Sequence, residues 1–142
     1  MTPELQAAFM SEAQKLLGEI GPIVACLDEA TIEALKLASR RSHNMIGAAA
    51  LLGLTTLSHV ARIQEEILES LWAKKRRLTD EVKHLIDATF QATVMCIHSP
   101  HSTPQDNVGV LASIVIPYRR LKQLPMEGDE AAIRKLLPKA VA

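Results

Sequence analysis

Apolar residues return every three or four positions along most of this chain, and glycine, proline and short polar clusters mark where the pattern resets. Leu5, Phe9, Ala13, Leu16, Leu17 and Ile20 predict a first helix, with Thr2 as its cap and Pro3 at its first position. Gly21-Pro22 predicts an interruption there, with a short continuation toward Leu27. A second helix starts at Asp28 or Thr31 and extends to Leu52, ending at Gly53. Its buried arc is Leu35, Ala38, Ser42, Met45, Ile46, Ala49 and Leu52. Thr55 caps a third helix whose stripe is Leu57, Val60, Ala61, Gln64, Ile67, Leu68 and Leu71. The cations Lys74, Lys75, Arg76 and Arg77 close it, where they suit the helix dipole.

Thr79-Asp80-Glu81 opens a fourth helix that runs through about Ile97. A loop over His98 to Thr103 leads to Pro104 at another helix start, and Val108 to Leu124 reads as a fifth helix that Pro117 should kink or divide. Gly128-Asp129 begins a short last helix ending near Leu137. Strand signals are almost absent: Ser113 to Ile116 is the one β-branched cluster, and it is short. With short connections, these elements predict an all-α, antiparallel up-down helical bundle: a four-helix core over about residues 3–97 and one or two extra C-terminal helices over about 104–137, within a single domain.

Composition sharpens this reading. A chain of 142 residues buries roughly two-thirds of its unfolded surface. Hydrophobic residues are 48% of it but aromatic ones only 3%, so the core must be aliphatic, which favours helices. Sixteen Lys and Arg balance 16 Asp and Glu. No basic field holds phosphate backbones and no aromatic platform stacks bases, so no nucleic-acid partner is expected. Cys26 and Cys96 read as two reduced, packed thiols. The N-terminal MTPELQAAFMSEAQ lacks an apolar signal run, and the stretches Met45–Leu54 and Val108–Ile116 are about half a membrane span. The expectation is a soluble, cytoplasmic protein with no membrane partner.

His43 stands at the edge of the second helix's buried arc. Ser39 and Gly47 lie one turn away on either side, with Ala50 beyond, so small residues leave its imidazole uncovered. A glycine within a helix costs about 1 kcal/mol relative to alanine, so Gly47 needs a reason: close approach of another molecule's backbone, or of a neighbouring helix. The tight turn at Gly53-Leu54 makes helices two and three antiparallel. His43 lies ten residues before Gly53 and Glu65 ten after Thr55. Both therefore stand roughly 15 Å from the turn, at one height. A carboxylate there can accept a hydrogen bond from the histidine Nδ1–H, which fixes the tautomer and leaves Nε2 as the nucleophile. The plainer reading of Glu65 is membership of the acidic run Glu65, Glu66 and Glu69.

The stretch ASRRSHNMIGAAALLGLTTLSHVARIQEEIL, Ala38 to Leu68, resembles histidine-containing phosphotransfer (HPt) domains, and most of all the N-terminal phosphotransfer domain of chemotaxis-type histidine kinases. Arg40, His43, Met45, Gly47, Ala49, Gly53, Leu54, Leu57 and Glu65 fall on that family's pattern without a gap, and the similarity covers roughly the first 95 residues. The resemblance implies a phosphorelay module of two-component signalling. His43 is then the phosphoacceptor, and Glu65 orients its ring. Lys36, Ser39, Arg40, Ile46, Gly47, Ala50 and Arg62 form the docking face, with Ser39, Gly47 and Ala50 as a low platform. It also implies two partners, a histidine-kinase catalytic domain and a response-regulator receiver domain. The chain would be a monomer and carry a phosphohistidine intermediate rather than act as a stand-alone enzyme. No cofactor is intrinsic, because ATP and Mg²⁺ belong to the partner domains.

Two positions depart from the family. Its lysine three residues after the histidine is Ile46 here, and a histidine often found three before the glutamate is Arg62. Losing that lysine implies slower transfer, since a cation stabilises the charge that develops there. Lys36 and Arg40, on the His43 side of the second helix, can supply part of the potential. The alternative is a degenerate, non-phosphorylated HPt-like module that binds a receiver or kinase domain. Elsewhere, Cys96-x-His98-x-x-His101 falls short of a structural zinc pattern, and no metal site is expected. No phosphate loop or Ser/His/Asp set occurs.

Overall fold

The computed structural model describes residues 2–99 and 108–123, and these form an all-α bundle of five helices with no strand. Helix α1 spans Pro3–Ala25, α2 Ile32–Leu51, α3 Thr55–Ala73, α4 Asp80–His98 and α5 Val108–Gln123; one 3-10 turn, Leu27–Glu29, joins α1 to α2. Three helix starts follow side-chain chemistry directly. The hydroxyls of Thr2, Thr31 and Thr79 accept from the amides of Leu5, Ala34 and Val82 at 3.1, 3.0 and 3.2 Å. The expected Pro104 helix start and the last helix over 128–137 lie outside the described residues.

Three expectations about boundaries are corrected. Helix α1 continues through Gly21-Pro22 to Ala25. Pro22 is exposed, and the buried stripe of Phe9, Ala13, Leu16 and Ile20 goes on to Val24, so burial carries the helix past the missing amide. Gly21 matters for another reason: a Cβ there would stand 3.2 Å from the Phe90 ring. Pro117 likewise does not divide α5, because it sits on the exposed side while Ile114 is buried on the other. Thr55, finally, is the first residue of α3 and not its cap. Leu54 holds that position as part of the closure of α2. The Gly53 amide bonds the Ala50 carbonyl at 3.2 Å and the Leu54 amide bonds that of Ala49 at 2.9 Å, with Gly53 at φ +69°. One residue thus ends one helix and starts the next.

The core has two apolar clusters. Ile20, Val24, Ile63, Ile67, Leu68, Ile86 and Ile114 belong to one, and Phe9, Leu16, Met45, Leu57, Ala61 and Ile97 to the other. Where one gives way to the other along α2, α3 and α4, a polar side chain is buried. Ser42 lies between Ala38 and Met45, Gln64 between Ala61 and Ile67, and Thr89 and Thr93 between Ile86 and Cys96; all four are completely inaccessible. Gln64 Nε2 donates to Ser42 Oγ at 2.9 Å, and Gln64 Oε1 lies 3.3 Å from Thr89 Oγ1. This polar layer links α2, α3 and α4. Cys96 is buried, which pushes its thiol up from the ordinary range, but Cys26 is exposed. The expectation of two packed thiols fails for Cys26 because it follows the last turn of α1, outside the buried stripe.

Helix α5 rests on α3 and α4. Ile114 is buried, and the Tyr118 hydroxyl donates to the Glu66 carboxylate, which Lys122 approaches at 3.8 Å. Burial, then the hydrogen bond and charge of Glu66, hold the Tyr118 hydroxyl above the ordinary phenol range. Tyr118 is the one tyrosine of the chain, so phenolate absorbance reports it alone. The absorbance is expected to rise only well above pH ~10, the ordinary phenol value. Because the folded pKa is raised, this group's contribution to stability is complete below about pH 10 and is lost as pH climbs through the folded value. A Tyr118 titration at the ordinary value would show that α5 is not seated this way. Among the described residues, no helix is long and apolar enough to cross a membrane.

Candidate functional site

The pairs that join α2 to α3 place the start of one helix beside the end of the other: Ser39 meets Trp72, whereas Ser42 with Gln64 and His43 with Glu65 lie nearer the turn on both helices. The two helices are therefore antiparallel, and the tight Gly53-Leu54 turn sets their register. His43 Nδ1 lies 3.0 and 3.2 Å from the two carboxylate oxygens of Glu65. An ionised carboxylate only accepts, so Nδ1 carries the hydrogen, and in the neutral ring Nε2 keeps its lone pair. Among the described residues Nε2 has no partner. The two side chains differ in exposure, 70% for His43 against 23% for Glu65, so the carboxylate is sheltered and the ring stands in solvent. A pair this exposed adds roughly 0.2–1 kcal/mol of stability, too little to explain it as a structural tie. What the contact does fix is the orientation of the ring and, when it is neutral, its tautomer.

The polar layer supports this pair from beneath. Ser42 and Gln64 each immediately precede a member of the pair, and their hydrogen bond lies in the core under it. Sequence reasoning placed Ser42 and Gln64 on buried faces but gave neither a role. The signal was present, since a glutamine in an otherwise apolar stripe must find partners.

The expected docking face divides. Gly47 and Ala50 are exposed, and among the described residues nothing lies within 4 Å of where a Gly47 side chain would begin. None of the five described helices is thus the reason for Gly47. Arg40 and Arg62 are also exposed, while Ile46 is half-buried against the second cluster. Ser39 does not belong to the platform. It is 4% exposed and accepts a hydrogen bond at 3.0 Å from Trp72 Nε1, whose indole reaches across from α3. The Lys36 ammonium in turn stands 5.2 Å from the indole centroid and 3.9 Å from Glu33. Trp72 follows Glu65 by two turns, and Ser39 precedes His43 by one. The reach of this indole over Ser39 was not legible in the sequence.

Two grooves flank α5, one lined by His84, Ser113 and Arg120 and the other by Glu69, Lys74 and Tyr118; neither includes His43. Among the described residues the imidazole stands on open surface. Cys96 is buried and His98 exposed, while His101 lies outside the described residues. Among those described, no three His, Cys, Asp or Glu side chains form a group able to hold a metal ion. Comparisons with protein-family models, with curated proteins and with solved structures return no match for this chain.

Proposed function

We propose that this protein is a phosphotransfer module in which His43 carries a phosphoryl group between a histidine-kinase catalytic domain and the aspartate of a response-regulator receiver domain. The observation that carries the reading is the His43–Glu65 pair: a sheltered carboxylate holding Nδ1–H of an imidazole whose Nε2 is bare and exposed. On loading, the Nε2 lone pair forms the N–P bond as the donor's bond to phosphorus breaks and its electrons leave with the donor group. The ring then carries positive charge and keeps its Nδ1 hydrogen, and the Glu65 carboxylate faces that charge. On unloading, the N–P bond breaks toward Nε2 and an aspartate oxygen of the receiver takes the phosphoryl group. The transition state is loose, so positioning and electrostatics are most of what a protein can contribute. Gly47 and Ala50 keep the approach low. ATP and Mg²⁺ are supplied by the partner domains, and the carrier acts as an intermediate rather than as a complete enzyme.

The test is labelling by a histidine-kinase domain, or by the small donor phosphoramidate, followed by acid treatment. Wild type is expected to take up acid-labile phosphate and His43→Gln none. Equal labelling of the two overturns the reading. One observation favours a second reading, a degenerate module that binds a kinase or receiver domain without accepting phosphate: Ile46 packs its apolar side chain against the core beside the ring's helix, where resemblance to the family leads one to expect a lysine. Under it, wild type stays unlabelled and partner binding survives His43→Ala.

A further inference from the structure

A phosphoryl group on Nε2 is a dianion, and the one charged group in contact with the ring, Glu65 on Nδ1, is itself an anion. Most nearby cations are already engaged. Lys36 sits over Trp72, Arg41 pairs with Glu19 at 2.7 Å, Arg76 Nε donates to Ser70, and Lys122 approaches Glu66. Arg40 and Arg62 are different: both are exposed, and neither forms an ion pair or side-chain hydrogen bond among the described residues. Their heights are the informative feature. Arg40 lies three residues before His43 on α2. Arg62 lies three before Glu65 on α3, and the antiparallel register that sets Glu65 opposite His43 sets Arg62 level with residue 46. The backbone of one arginine is therefore about 4.5 Å below that of His43 along the bundle, and that of the other about 4.5 Å above it. Residues three apart on a helix have their Cβ atoms about 5–6 Å apart, so each arginine is a direct neighbour of one member of the pair.

We infer that Arg40 and Arg62 form a bracket for the tetrahedral oxyanion at His43 Nε2, one guanidinium from each helix grasping phosphoryl oxygens during loading and in the phosphorylated state. The inference rests on the phosphotransfer reading for its physiological ligand, but the bracket itself is a site for any phosphate-like dianion. Guanidinium suits this task through its fork of donors and its permanent charge. With Arg62 in place, the cation missing at residue 46 is supplied from the facing helix.

The full chain, labelled with ¹⁵N, is titrated with inorganic phosphate while the His43 ring signals are followed; rates of loading from phosphoramidate are then compared. The variants are Arg40→Gln, Arg62→Gln, the double change, and Arg62→Lys. Phosphate is expected to shift the ring signals in wild type and not in the double variant. Each single Gln change is expected to slow loading about fivefold, with Arg62→Lys recovering much of the loss. Loading that is equal in wild type and the double variant overturns the bracket and leaves the proposed function standing. If wild type does not load at all, the proposed function fails. The phosphate titration then decides the bracket by itself: a shift lost in the double variant supports it, and a shift that is absent or unchanged overturns it. Both arginines are exposed, so circular dichroism should show all variants folded.

Discussion

Glu65→Ala is expected to slow phosphoryl uptake at His43 by roughly 10- to 100-fold while the helical content stays unchanged, as loss of an orienting partner behind a reactive histidine commonly does. The carboxylate has two effects. It keeps the hydrogen on Nδ1, so that Nε2 is the free nitrogen, and it faces the positive ring that forms on transfer. Alanine removes both. The ring then rotates in solvent and divides between tautomers, one of which has no lone pair on Nε2. Glu65→Gln should fall between, because its amide oxygen can still accept from Nδ1–H but carries no charge. Ring ¹⁵N shifts of His43 in the unphosphorylated protein separate this from a folding defect: Nε2 should read as unprotonated in wild type and as partly protonated in Glu65→Ala. A ring whose Nε2 already carries hydrogen in wild type would show that the 3.0 Å contact does not govern the tautomer.

Gln64→Glu is expected to remove about 3–5 kcal/mol of stability at neutral pH, whereas Gln64→Met should lie within about 1 kcal/mol of wild type. The contrast follows from how the polar layer is wired. Ser42 Oγ donates to the Ala38 carbonyl at 2.8 Å and Thr89 Oγ1 to that of Ile86 at 2.7 Å, so both hydroxyls keep a partner inside their own helices when Gln64 is replaced by an apolar residue. A carboxylate at the same place gains no cation, and the Ser42 hydrogen is already committed. Against a typical total of about 5–15 kcal/mol, the charge removes a large part of the fold's margin. Burial raises the pKa of an introduced carboxyl, so its neutral form is the one the fold tolerates. The deficit should therefore shrink as pH falls toward the folded pKa of that group. Urea unfolding midpoints at neutral and acidic pH measure this. A neutral-pH midpoint equal to that of wild type would mean that water reaches position 64.

How much of this was legible differs element by element. The amphipathic stripes of α2, α3 and α4, the cap at Thr2 and the start at Thr79 were readable because period and capping are local properties, while Thr31 and Asp28 remained alternatives for the start of α2. Pro22 misled for the same reason, and so did Pro117 in so far as it was read as dividing its helix. A proline's local cost was clear from the sequence, but the burial of Val24 and Ile114 that offsets it belongs to neighbouring helices. Ser39 was misplaced because a small residue one turn from His43 looks like open surface until an indole from another helix lies over it.

By itself the sequence determined an all-helical chain, the antiparallel relation of α2 and α3, and the equal height of His43 and Glu65. Each follows from counting residues along helices of fixed rise away from a two-residue turn. Only the tertiary structure decided which side chains meet sideways. Rotation about each helix axis is set by the packing of several helices at once, so it took the assembled bundle to join Glu65 to the ring, bury Gln64 between two hydroxyls, cover Ser39, and leave Arg40 and Arg62 exposed.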